Sequence, residues 1–152
     1  MPMPWTYRHA SREWRAFLDD VKDGMNLSSD NMAYTAVDGV FQCYRRRLTA
    51  AQGLGFASVL PCVPRAIFVA GWQPTDPLPE FPSRAELVAE VKALRPHHNL
   101  TPDTAIEATA IALQRQILPD DWARALAALP PDARAFWDVP DMPESELRPR
   151  II

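Results

Sequence analysis

The chain has 152 residues, 47% of them apolar and 23% charged, with a formal net charge of −3 and an isoelectric point near 5.6. This is the composition of one globular domain long enough to build a core without staples, and it excludes a disordered segment. It also argues against nucleic acid as a partner, because a phosphate-binding surface needs a field of clustered Lys and Arg that this balance does not supply.

Sixteen Pro against five Gly suits a series of short helices, since Pro serves at first helical positions and in rigid connections. The first predicted helix is capped by Ser11, carries Glu13 at its positive end, and repeats Trp14, Phe17, Leu18, Val21 and Met25 at helical spacing, with Gly24 marking its end. A second starts at Ser28 or Ser29 and aligns Ala33, Val37, Val40, Phe41, Tyr44 and Leu48 on one stripe, leaving Thr35, Gln42 and Arg46 for solvent. Thr49 with Gln52 forms a capping box that opens a third helix, in which Gly53 and Gly55 each cost up to ~1 kcal/mol. Pro64 fits the first position of a fourth, closed by Gly71.

Residues 73–82 hold four prolines and read as an extended spacer. Ser83 with Glu86 opens a fifth helix, and Thr101-Pro102-Asp103 is a start signal for a sixth with the stripe Ile106, Ala110, Leu113 and Ile117. Pro119-Asp120-Asp121 begins a seventh, and an eighth covers about residues 131–137. The remainder, 138–152, is charged and Pro-interrupted, and is expected to be a flexible tail.

The two parts of the chain correspond. Val21-Lys22 matches Val91-Lys92 at an offset of 70, and Asn26-Leu27-Ser28 with Asp30 matches Asn99-Leu100-Thr101 with Asp103 at 73. Leu60-Pro61 matches Leu129-Pro130 at 69, and Arg65-Ala66-Ile67-Phe68 matches Arg134-Ala135-Phe136-Trp137 at the same offset. The expected architecture is therefore all-α, about eight helices in two pseudo-equivalent four-helix repeats. It comprises one domain, with repeats over about 11–71 and 83–137 joined by the spacer.

Several longer strings carry a family likeness. YRHAS (7–11), NMAYTAVDGVF (31–41), RRRLT (45–49), VPRAIFV (63–69), LRPHHNLTPD (94–103) and AIEATA (105–110) stand in order. Over about residues 1–138 the chain resembles the bacterial domain-of-unknown-function family 2267. That resemblance implies an all-helical, duplicated fold in a bacterial protein, and it brings no reaction, ligand or catalytic residue with it.

Chemistry is sparsely signalled. The adjacent His97 and His98 precede a helix start, where neighbouring imidazoles diverge instead of converging on a metal, so a turn role is favoured and no metal site or cofactor is expected. Asp30 and Asp103 stand in the first turns of their helices, and with the two histidines they are the candidates for a ligand site between the repeats. Cys43 and Cys62 lack paired-Cys spacing and read as reduced thiols packed as small hydrophobes. The start of the chain has no secretory h-region, and the longest uncharged run, Leu48–Pro64, falls short of a membrane span, so a cytoplasmic protein is expected.

On the sixth helix the side opposite the core stripe carries Thr104, Ala108, Ile111, Ala112 and Arg115. A helix apolar on both sides is buried on both sides. Ala108, Ile111 and Ala112 are therefore expected to meet the other half of the chain or a second subunit, and Trp72 beside the spacer either packs it down or anchors a partner. The leading functional reading is a binding or regulatory module acting through protein contacts, possible also as a homodimer. The alternative is a small-molecule binder or enzyme with its site in a cleft between the repeats. With no catalytic motif visible, an enzyme is the less favoured of these.

Overall fold

A computed structural model describes residues 2–94 and 101–150. Among the described residues it is all-helical: nine α-helices and no strand. The first half holds α1 (Trp5–Arg8), α2 (Ala10–Met25), α3 (Asp30–Arg45), α4 (Ala50–Ala57) and α5 (Cys62–Val69). The second holds α6 (Arg84–Ala93), α7 (Ala105–Gln114), α8 (Pro119–Ala127) and α9 (Pro131–Ala135).

Short-range signals set most of the helix starts. Ser29 caps α3, its hydroxyl accepting from Met32 N at 3.1 Å. Both predicted capping boxes form, Thr49 with Gln52 and Ser83 with Glu86, each satisfying two otherwise unpaired N–H groups. Pro119 takes the first turn of α8.

Elsewhere the boundaries move. The extra helix α1 precedes α2, so Ser11 lies inside a helix whose N-cap is His9. Gly24 does not end α2; Asn26 does, in the left-handed conformation at φ 54°, while Leu27 N–H donates back to the Lys22 carbonyl at 2.8 Å. Pro64 is the third residue of α5, not the first, and Thr101-Pro102-Asp103 forms the approach to α7, which begins at Ala105.

In the middle of the molecule α3 touches α2, α5, α6 and α7. It is therefore buried nearly all round, including Ala36, Asp38 and Gly39, and Thr35, Gln42 and Arg46 are half-buried where a solvated face was expected. Gly39 lets α6 approach: a Cβ there would lie 3.3 Å from the Val91 carbonyl oxygen. On the other side α2 packs against α7. A Cβ on Gly24 would lie 3.0 Å from that of Ala108, so this glycine serves helix packing and not helix termination.

An aromatic cluster binds the halves together. Tyr44 from α3 meets Phe56, Phe81, Phe136 and Trp137, and its hydroxyl donates to the Ala133 carbonyl at 2.9 Å. Phe56 stacks on Trp137 with centroids 5.5 Å apart. Beside it, Arg47, just past the end of α3, reaches α6 and grips Glu90 through two hydrogen bonds of 2.7 and 2.8 Å. No helix among the described residues is long and apolar enough to cross a membrane.

Candidate functional site

A cavity of about 370 Å³ opens where α2 of the first half meets the end of α7 in the second. The helical repeat puts Arg12, Ala16 and Asp20 on one face of α2, with Glu13 beside them, and this face forms one wall. Arg115, Gln116 and Leu118 supply the opposite wall from the turn after α7, Trp5 stands over it from α1, and Pro149 and Arg150 close the remaining side.

The polar groups are held in fixed positions. Glu13 is only 6% exposed, and its Oε1 accepts from the Thr6 hydroxyl at 2.5 Å. Burial pushes its carboxyl above the ordinary range, against the opposing pull of that hydrogen bond and of the nearby His9. Gln116 Nε2 donates to the Glu13 carbonyl at 2.6 Å, which fixes the amide's orientation. Its Oε1 is buried and accepts no hydrogen bond among the described residues. Asp20 is sunk to 12% side-chain exposure between Arg115, 3.4 Å away, and Arg150. At the rim, Trp5 and Leu118 remain 48% and 62% exposed, so the cleft offers an apolar lip above a charged interior.

Among the described residues, neither Asp30 nor Asp103, the ligand-site candidates from the sequence, lines this cleft. Asp30 opens α3 on another surface, held at 2.7 and 2.8 Å by Arg15 and at 2.9 Å by Lys22, hydrogen bonds that keep its carboxyl far below the usual range. It borders a shallow depression with Trp14 and Tyr34. Asp103 pairs with Lys92 and leaves its side chain 80% exposed. His97 and His98 lie outside the described residues. Among the described residues, no group of three or more His, Cys, Asp and Glu gathers in a way that could hold a metal ion.

The interface candidates differ in burial. Ala108 and Ala112 are 4% and 0% exposed, and the helix that approaches Ala108 closely is α2 of the same molecule. Ile111 is half-buried. Trp72 packs down against Phe68 and over Gly53.

The cleft residues were hard to find for a physical reason. Glu13 reads as a favourable charge at a helix start and Asp20 as part of a solvated acidic pair. Only the pairing of α2 with α7 brings them to Gln116 and Arg115. The one sequence signal is the polar pair Arg115-Gln116 directly after an apolar helix.

This all-helical domain, in which α2 packs on α7 and α3 on α6 with a charged cleft at the end of α7, belongs to a described family. The chain is a member of the uncharacterized conserved proteins DUF2267, whose family model matches residues 14–136. No curated protein matches it.

Proposed function

We propose that the domain is a binding module whose ligand enters the cleft between its halves. The arrangement that carries this reading is the set of sunken polar groups, Glu13, Asp20 and the unpaired Gln116 amide oxygen, under the exposed Trp5 and Leu118. Concave sites with an apolar lip and a few fixed polar groups at the junction of packed units are where ligands bind. An unpaired buried acceptor costs about 1–3 kcal/mol, which a ligand donor would recover. The two free cysteines, one buried and one half-buried, support a cytoplasmic setting.

The test is a thermal-shift panel of metabolites and short peptides. A ligand at 100 times its dissociation constant adds about 2.7 kcal/mol. Hits in the cleft should weaken at least tenfold in Gln116→Leu and Trp5→Ala. Hits indifferent to both changes would move the site elsewhere.

We also propose that the halves are copies of one unit related by an approximate two-fold axis. Support comes from reciprocal ion pairs: Arg46 with Glu90 at 3.6 Å, and Arg115 with Asp20 at 3.4 Å. Each joins the C-terminal turn of one half's second long helix to the first long helix of the other. Within each half, Lys22 pairs with Asp30 and Lys92 with Asp103. Arg65 and Arg134 likewise donate to the carbonyls of Leu60 and Leu129, at 3.0 and 3.1 Å. An experimental structure in which these matched pairs do not superpose would remove the proposal.

A further inference from the structure

Beyond Val139 the chain turns back over the body of the domain, and a 3-10 turn at Glu144–Glu146 sets it against the end of α7. There Arg115 donates from Nε to the Glu146 carbonyl at 3.1 Å and pairs with the Glu146 carboxylate at 3.6 Å. Leu147, half-buried, lines an apolar groove of about 450 Å³ with Ile117, Leu118, Pro119, Trp122 and Ala123. Three residues later Arg150 reaches the cleft and pairs its guanidinium with Asp20. Leu118 and Pro149 border both cavities, so groove and cleft adjoin.

Burial along this contact is uneven. The side chains of Asp20 and Arg115 are 12% and 17% exposed, whereas those of Glu146 and Arg150 are 57% and 53% exposed. The receiving groups are set into the body and the arriving ones remain largely in water. A segment held in this way resembles a bound peptide, in which a main-chain hydrogen bond sets the register and side chains at fixed spacing meet their own partners on the receptor surface. Here the register bond is to the carbonyl of Glu146, Leu147 lies along the wall of the apolar groove, and the Asp20 carboxylate takes a guanidinium.

We infer that groove and cleft together bind a peptide in which an apolar residue is followed three positions later by arginine. The chain's own Leu147–Arg150 segment holds the site until such a peptide displaces it. This rests on the cleft reading above and adds the class of ligand. A tethered competitor acts at an effective concentration in the roughly millimolar range. Releasing it therefore raises the apparent affinity for a peptide in trans by the inverse of the fraction of open sites.

The test uses the full chain and a fluorescein-labelled peptide with the sequence of residues 143–150, read by fluorescence anisotropy. The double variant Leu147→Asp/Arg150→Glu, whose tail no longer fits, should bind the peptide at least tenfold more tightly than the unaltered chain. That gain should disappear when the peptide itself carries Arg150→Ala or Leu147→Ala, changes that leave the protein's fold untouched. Adding Asp20→Asn to the double variant should abolish it as well. Equal affinity of the two proteins, no binding by either, or indifference to both peptide changes would overturn the inference. If the peptide fails while a panel ligand binds in a Trp5- and Gln116-dependent way, the cleft reading stands and only the ligand class falls.

Discussion

Gly53 lies under the indole of Trp72 so closely that a Cβ at residue 53 would fall 2.1 Å from Cη2 of the ring. The glycine sits inside α4, where it weakens the helix by up to ~1 kcal/mol relative to alanine. Restoring that methyl should nevertheless destabilise the protein, because forcing a half-buried indole out of its seat costs about 1–3 kcal/mol. Gly53→Ala is thus expected to lower the denaturation midpoint. In a Trp72→Ala background the same change should be neutral or stabilising. A like-signed effect in both backgrounds, measured by urea denaturation, would show that the ring is not the obstacle.

Glu90 and Arg47 make a prediction about acid. The Arg47 side chain is 5% exposed, so Glu90→Gln leaves a sunken guanidinium without its counter-charge. About 3 kcal/mol should be lost near neutrality, the low end for a broken buried pair because Glu90 is itself a quarter exposed. The hydrogen bonds from Arg47 hold the Glu90 carboxyl below its ordinary value of 4.5. Its folded pKa being depressed, the contribution is complete above the unfolded value and is lost as pH falls from there through the folded one. The stability gap between Glu90→Gln and the unaltered chain should therefore begin to narrow below about pH 4. A gap unchanged from pH 7 to pH 3 would mean the pair is not what Glu90 contributes.

Glu13 should behave with the opposite sign. Its carboxyl is raised by burial, with the Thr6 hydrogen bond and His9 pulling the other way, so the folded state binds the proton more tightly than the unfolded chain does. The stabilisation from that proton is fully present below the unfolded value and fades as pH rises through the folded one. Glu13→Gln, which can still accept from Thr6, should raise the melting temperature at pH 7 and have little effect at pH 4. Destabilisation at pH 7 would instead mark the ionised carboxylate as a favourable partner of the cleft arginines.

The two thiols should separate by reactivity. Burial, aided by the hydrogen bond toward Glu90, pushes the Cys43 thiol up to about 12, and its side chain is fully enclosed. Cys62 at the start of α5 is half-buried. An aromatic disulfide reagent at pH 8 should titrate at most one thiol in the folded protein and two after unfolding. Two equivalents reacting at once with the native chain would contradict the burial of Cys43.

Most helix starts were legible because each is decided within a few residues. The Ser29 cap, the boxes at Thr49 and Ser83, and Pro119 all act on N–H groups of their own first turn. Apolar periodicity likewise identified the all-helical class and most of the core, from Phe17 and Val37 to Leu113 and Trp137. Periodicity reports that a face is buried, not against what. Hence α3 could be read as amphipathic when neighbours cover it nearly all round, and Gly24 as a terminator when it makes room for Ala108. The cleft lies at the far end of this scale. Asp20 is 95 residues from Arg115 and 130 from Arg150, and Glu13 is 103 from Gln116. No local pattern can announce such pairs, because side chains that far apart meet only through the packing of α2 on α7 and the return of the chain over them, and that packing is an energy summed over the whole core.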